Sequence, residues 1–205
     1  MSGCAGIGGV VLAAGGARRM GGRLKQLLPC KGEVLVHRAA RTALEAGLRP
    51  VWVVVGAQAQ AVWQAVADLP VEILLNPAWE AGQSASVRLA AAALRRARLA
   101  GGVFFPADQP FVPPALVTAL CEAYCRTRAP IVTPEIAGER STPVLVAASI
   151  FPLLEELHGD TGARALFDRI PPLPLHWDAP QARAEIDTPA DYRRWCPEGA
   201  TWQGD

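Results

Sequence analysis

The stretch Val10-Val11-Leu12-Ala13-Ala14-Gly15-Gly16-Ala17-Arg18-Arg19-Met20-Gly21-Gly22-Arg23-Leu24-Lys25 runs from apolar residues into a glycine-rich basic loop. An apolar run without alternation reads as a strand buried on both faces. Glycines at 15, 16, 21 and 22 permit positive φ and let backbone N–H groups approach an anion, while Arg18, Arg19 and Lys25 supply countercharge. From the residues alone, the loop is expected to hold a triphosphate. A Walker loop is ruled out because Gln26, not Ser or Thr, follows Lys25. A dinucleotide fingerprint is ruled out too: Gly15-Gly16-x-x-x-x-Gly21 has the wrong spacing, and Arg41-Thr42-Ala43 stands where the ribose-binding acid belongs.

Working outward, β-rich runs occur at 10–13, 51–55, 71–75, 103–106, 131–133 and 144–147. Helical stretches separate them: 34–46 closed by Gly47, 58–67, 84–99 closed by Gly101, and 114–126. Regular β-α alternation implies a doubly wound, mostly parallel sheet with ligands at the carboxyl ends of its strands, so the loops after Ala13, Leu75 and Pro106 should share one rim. After residue 134 the pattern changes to an extended 143–147, helices near 149–157 and 162–169, and a proline-rich connector 171–174. That segment reads as a small insertion covering an acceptor. Residues 197–205 read as a frayed tail.

The 205 residues suit one α/β domain, given a prior of roughly 150 residues per domain. Its expected division is an NTP-binding half at about 7–110 and an acceptor-binding half at about 111–196. With 20 Lys plus Arg against 19 Asp plus Glu, the overall field favours no nucleic acid. No apolar run approaches the roughly 18 residues of a membrane span, and the N-terminus lacks a signal-peptide pattern, so a cytoplasmic protein is expected. Five scattered cysteines, 4, 30, 121, 125 and 196, contain no C-x-x-C pair and suggest reduced thiols rather than a disulfide framework. His37, His158 and His176 show no ligand spacing.

A triphosphate is handled with Mg²⁺, which takes one or two carboxylates plus phosphate oxygens and water. Asp108 follows the strand Val103-Phe104-Phe105 and should stand over the crevice. Asp187 precedes Thr188-Pro189-Ala190-Asp191, where Thr188 reads as N-cap, Pro189 as N1 and Asp191 as N3. Capping accounts for Thr188 and Asp191 but not for Asp187. Both aspartates are candidate metal ligands, with helix N-terminal electrostatics the alternative for Asp187. Gly82, Gln83 and Ser84, in Asn76-Pro77-Ala78-Trp79-Glu80-Ala81-Gly82-Gln83-Ser84-Ala85-Ser86, could let backbone groups reach a base, although an N-cap role suits Ser84 or Ser86 equally well. Arg95-Arg96-Ala97-Arg98 reads as a solvated helix C-terminus.

The loop resembles the L-A-A-G-x-S-x-R-M-G-x-x-x-K signature of the MobA-like nucleotidyltransferases, with Ala17 in place of the usual Ser. Asp108-Gln109-Pro110 and Ile186-Asp187-Thr188-Pro189-Ala190-Asp191-Tyr192 resemble further motifs of that family, extending the likeness from Val10 to Trp195. Gly138-Glu139-Arg140-Ser141-Thr142-Pro143 and Gly159-Asp160-Thr161-Gly162-Ala163-Arg164 resemble motifs of its molybdenum-cofactor cytidylyltransferase branch. Ser141 and Thr142 depart from the usual Gly and His.

The resemblance implies a Rossmann-like nucleotidyltransferase fold and transfer of CMP from CTP to molybdopterin, with or without metal. Lys25, Arg19 and Asp108 would be catalytic, and Asp108 and Asp187 would hold Mg²⁺. Leu12, Ala13, Ala14, Gly15, Gly16, Arg18, Gly21, Lys25, Gly82, Gln83 and Ser84 would bind nucleotide. Arg140, Gly162 and Arg164 would bind the acceptor, with Arg164 alternatively pairing with Asp160 on a helix turn. Ala14, where the guanylyl branch carries a second Gly, favours CTP. The alternatives are a guanylyltransferase or another NTP transferase with a different phosphorylated acceptor, a non-catalytic cofactor chaperone, and, as a third choice, a dinucleotide-fold oxidoreductase. A molybdenum hydroxylase or its chaperone is the partner the family implies.

Overall fold

A computed structural model of the chain describes residues 6–16 and 24–199. Its strands and helices run β1 (Ile7–Ala13), β2 (Pro29–Cys30), β3 (Glu33–Val34), α1 (Leu35–Glu45), β4 (Val51–Val55), α2 (Ala59–Gln64), β5 (Glu72–Leu75), α3 (Gln83–Arg96) and β6 (Gly101–Pro106). They continue with α4 (Pro114–Thr127), β7 (Ile131–Ile136), β8 (Glu139–Arg140), β9 (Val144–Ala147), α5 (Phe151–Glu155), β10 (Leu173–His176) and α6 (Pro189–Trp195). The main sheet is ordered β10-β7-β9-β6-β1-β4-β5, with β8 added to β7. Strands β6, β1, β4 and β5 are parallel, as are β7 and β10, while β9 runs antiparallel between β6 and β7.

The absence of alternation in β1 follows from burial on both faces. Val11 packs in a core with residues of α1 and α4, whereas Val10 packs on the other face with residues of α3 and α5. The neighbouring strands divide similarly: Val53 and Phe105 join the first core, and Val54 and Phe104 the second. Period-2 geometry sends successive side chains to opposite layers, so a strand covered by helices twice has no polar position to spare.

Three local expectations are corrected. Residues 171–174 are not purely a connector, because Leu173–His176 forms β10 beside β7. It is an edge strand, where Pro174 removes no bond needed by a second neighbour. Helix α3 ends at Arg96, Arg98 takes the left-handed conformation at φ 55°, and Gly101 opens β6 instead of closing the helix. The stretch expected as a helix at 162–169 is a short 3-10 turn, Ala163–Leu166. The segment after residue 134 thus adds strands to the same sheet.

The cysteine expectation is also overturned. Cys30 and Cys196, 166 positions apart, form a disulfide. Their pairing is set by topology, which spacing cannot reveal: Leu28, Cys30, Leu35, Ile186, Tyr192 and Cys196 form a separate small core, and Tyr192 donates its hydroxyl to the Pro29 carbonyl at 2.5 Å. The bond therefore ties the segment just after Lys25 to the helix just after Asp187. Cys30→Ser should lower the thermal midpoint under oxidising conditions by roughly 10 °C, since closing so long a loop is worth about 5 kcal/mol in the chain-entropy treatment. Under reducing conditions the two proteins should melt together.

At the start of α1, Glu33 receives hydrogen bonds from Arg38 at 2.9 Å, from Arg41 at 2.5 and 3.1 Å, and pairs with His37 at 2.8 Å. Partial burial opposes its charge, but these partners outweigh burial and hold its carboxyl at about 2. Arg38 also donates to the Pro110 carbonyl, so the cluster braces the loop after β6. Glu33→Gln should destabilise the protein above pH 4.5, and the deficit should shrink as pH falls toward about 2, in denaturant titrations across that range.

Candidate active site

The loops following β1, β5 and β6 do share one rim. They enclose a cleft of about 410 Å³ whose walls include Leu12, Ala13, Ala14, Gly15, Gly16, Lys25, Gln26, Trp79, Gly82, Gln83, Ser86, Asp108 and Asp160. Arg18, Arg19 and Gly21 lie outside the described residues. Gly15 and Gly16 are not among the glycines at positive φ. Gly16 is needed for closeness instead: a Cβ there would lie 2.9 Å from the Trp79 ring. Gly82 meets both demands. Its φ is +101°, and a Cβ would come within 2.5 Å of the Gly159 carbonyl.

Lys25 begins a 3-10 turn, and its ammonium reaches across the rim. It donates to Asp108 Oδ2 and, at 2.8 Å, to Asp187 Oδ1. Burial alone would depress this ammonium, but Asp108 first, then Asp187, raises its pKa above the ordinary lysine value. The two carboxylates meet because the Ile186 N–H donates to the Asp108 carbonyl at 2.9 Å, docking the C-terminal segment on the end of β6. The reading of Thr188 as N-cap holds: its hydroxyl accepts from the Asp191 N–H at 3.2 Å, and Asp191 accepts from the Thr188 N–H at 2.9 Å. That capping box fixes the backbone immediately after Asp187.

One contributor was missed in the sequence, and the stretch 76–86 expected near a base supplies others. Gln26, 3% exposed, donates to the Ala13 and Gly15 carbonyls at 3.1 and 2.8 Å and so pins the strand-to-loop turn. In the sequence its place after Lys25 shows only that the loop is not a Walker loop. Trp79 packs against Gly16 and Gly56, where a Cβ on Gly56 would lie 2.5 Å from the Trp79 Cβ. Ser84 lies buried outside the cleft lining, and Ser86 stands there instead, accepting from Asn76 Nδ2 at 2.9 Å. Neither serine caps α3: Gly82 holds the N-cap position, and Asp160 Oδ1 accepts from the Gln83 N–H at 3.3 Å.

A smaller cavity of about 130 Å³ adjoins the cleft and shares Leu12, Gln83 and Pro106 with it. Gly162, Arg164 and Thr142 line it, whereas Arg140 does not. Arg164 donates to the Arg140 carbonyl at 3.4 Å rather than pairing with Asp160, and the Arg140 guanidinium lies 5.9 Å from the Phe167 ring centre. Buried Gln109 connects this cavity to the C-terminal segment, accepting from Thr142 Oγ1 at 2.5 Å and donating to Glu185 at 2.8 Å.

Among the described residues, no three His, Cys, Asp or Glu side chains form a metal-sized group, and no helix is long and apolar enough to cross a membrane. Two carboxylates converging on one cation nevertheless suit a divalent ion whose other ligands are phosphate and water.

The chain is 42% identical over 80 residues to nicotine blue oxidoreductase of Paenarthrobacter nicotinovorans, a match spanning 39% of each protein. Crystal structures of Rv0371c from Mycobacterium tuberculosis H37Rv superpose on it at 30% identity and a TM-score of 0.78, covering 92% of this chain and 96% of that one. The Rv0371c complex with manganese matches at 29% identity and TM-score 0.77, covering 94% and 98%. Molybdopterin-guanine dinucleotide biosynthesis protein A from Archaeoglobus fulgidus shares the fold at 19% identity and TM-score 0.68, covering 94% and 98%. The family described as MobA-like NTP transferase domain matches residues 9–173, and with that match spanning most of its length and the rim above in place, this chain belongs to that family.

Proposed function

We propose that this NTP transferase moves CMP from CTP to the terminal phosphate of molybdopterin or its molybdenum-bearing form, using Mg²⁺. The observation that carries the reading is the convergence of Lys25, Asp108 and Asp187 beside the Gly15-Gly16 turn. An oxygen of the acceptor's terminal phosphate attacks the α-phosphorus of CTP. A P–O bond forms there, the bond from the α-phosphorus to the bridging oxygen breaks, and pyrophosphate leaves with the electron pair.

Nothing covalent is asked of the protein, whose contribution is alignment and countercharge. Asp108 and Asp187 would hold the divalent ion, and the manganese complex of a 29% identical relative supports a metal of this kind. When bound, Mg²⁺ supplies charge neutralisation at the reacting phosphates. Lys25 and Arg19 would meet the triphosphate, with Arg18, Gly21 and the turn held by Gln26 orienting it. Ala14, Gly82 and Gln83 would frame the base, and Arg140, Gly162 and Arg164 would take the acceptor. This assigns nucleotide to about 7–110 and acceptor to about 111–196.

Incubation with each NTP in turn, Mg²⁺ and molybdopterin, following pyrophosphate, should show release that is fastest with CTP and absent without metal. Faster release with GTP would reassign the base, and no release with any NTP would sink the reading. Asp108→Asn should lower kcat by more than about a hundredfold with unchanged circular dichroism, by comparison with losses from single electrostatic groups. Arg164→Ala should raise the acceptor KM while leaving the CTP KM near that of wild type. The likeness to nicotine blue oxidoreductase favours one second reading, a nucleotide-dependent reductase. Consumption of NADH or NADPH with an oxidised substrate, and no pyrophosphate release, would establish it instead.

A further inference from the structure

We propose that Lys25 is a built-in stand-in for the divalent cation, occupying the metal's place in the nucleotide-free protein and leaving it only when nucleotide arrives. This rests on the proposed metal role of Asp108 and Asp187. Both carboxylates point at one nitrogen, the Lys25 ammonium, which fills the position a shared cation would take. Without a cation there, two carboxylates drawn together by the backbone would face each other unscreened at a partly enclosed rim.

The pair does not depend on Lys25 for its position. The hydrogen bond from the Ile186 N–H to the Asp108 carbonyl, the capping box after Asp187, and the Cys30–Cys196 bond hold the backbone on either side. Lys25 is the one member of the cluster carried on a long, flexible side chain, and that side chain is 30% exposed at the cleft. The ammonium can therefore swing away while the carboxylates stay.

Two conditions make its departure follow the nucleotide. A triphosphate in the cleft gives the ammonium a second group of anions beside the first, so its movement leaves no charge unpaired. The same phosphates provide oxygen ligands that two carboxylates cannot supply to a divalent ion. Before they arrive, an incoming metal must displace a well-paired cation and gains few protein ligands in exchange. Metal and nucleotide should accordingly load together, and metal alone should bind poorly.

The test measures Mn²⁺ binding without any nucleotide, by electron paramagnetic resonance of the free ion, in wild type, Lys25→Met, Lys25→Arg and Lys25→Met/Asp108→Asn. Lys25→Met should bind Mn²⁺ about tenfold more tightly than wild type, a coupling of ordinary size for two linked sites. Lys25→Arg, which keeps the charge, should remain weak. Adding a non-hydrolysable CTP analogue should tighten Mn²⁺ binding in wild type far more than in Lys25→Met. Equal or weaker binding by Lys25→Met, with thermal midpoints showing all variants folded, overturns the proposal. The double variant separates this from the site assignment: retained tight binding without Asp108 would remove that carboxylate from the metal site and with it the shared position Lys25 is proposed to fill. Loss of binding in the double variant alongside equal affinities of Lys25→Met and wild type would refute the stand-in alone.

Discussion

The rim of this protein is organised around the electrostatic cost of bringing Asp108 and Asp187 together. Each lies at the end of a different segment, and a backbone hydrogen bond brings those ends into register. With that bond formed, the two carboxylates face one point on the rim, and the Lys25 ammonium sits between them. The surrounding features can be understood as supports for that triangle. Gln26 pins the backbone at Ala13 and Gly15, Arg38 braces the loop that carries Asp108, and the capping box and disulfide fix the neighbourhood of Asp187.

The two-layer architecture serves the same end. Strands β1 and β6 lie side by side in the middle of the sheet, covered on both faces, and end at the same rim. Burial of this kind makes their ends stiff, so Ala13, Ala14, Pro106 and Ala107 form a fixed floor for the cleft. Close approach is then bought with glycine, as at Gly82 against Gly159 and at Gly16 and Gly56 against Trp79.

The strands were legible because their signal is local. Residues 51–55 and 144–147 are continuous apolar runs and were found with their observed boundaries. The edge strand β10 was missed because three prolines, at 171, 172 and 174, mask it, and its place at the edge is what lets the last of them sit within the strand. Asp108 and Asp187 could be chosen from their positions at a strand end and before a capping box. Gln26, Gln109, Trp79 and Ser86 carried weaker signals. Their importance lies in what they touch, and an amide or ring reaching across segments leaves no periodic trace.

By itself the sequence determined the alternating strands and helices, the rim on which they end, and the glycines, cations and carboxylates gathered there. Hydrophobic periodicity and turn chemistry act over a few residues, so one-dimensional information is enough for them. Only the tertiary structure decided that β9 would run antiparallel inside the sheet, that Cys30 would bond to Cys196, and that a single lysine would bridge both carboxylates. Those outcomes depend on chain segments far apart in sequence meeting at distances of a few ångströms. Only the completed packing of both layers fixes such distances.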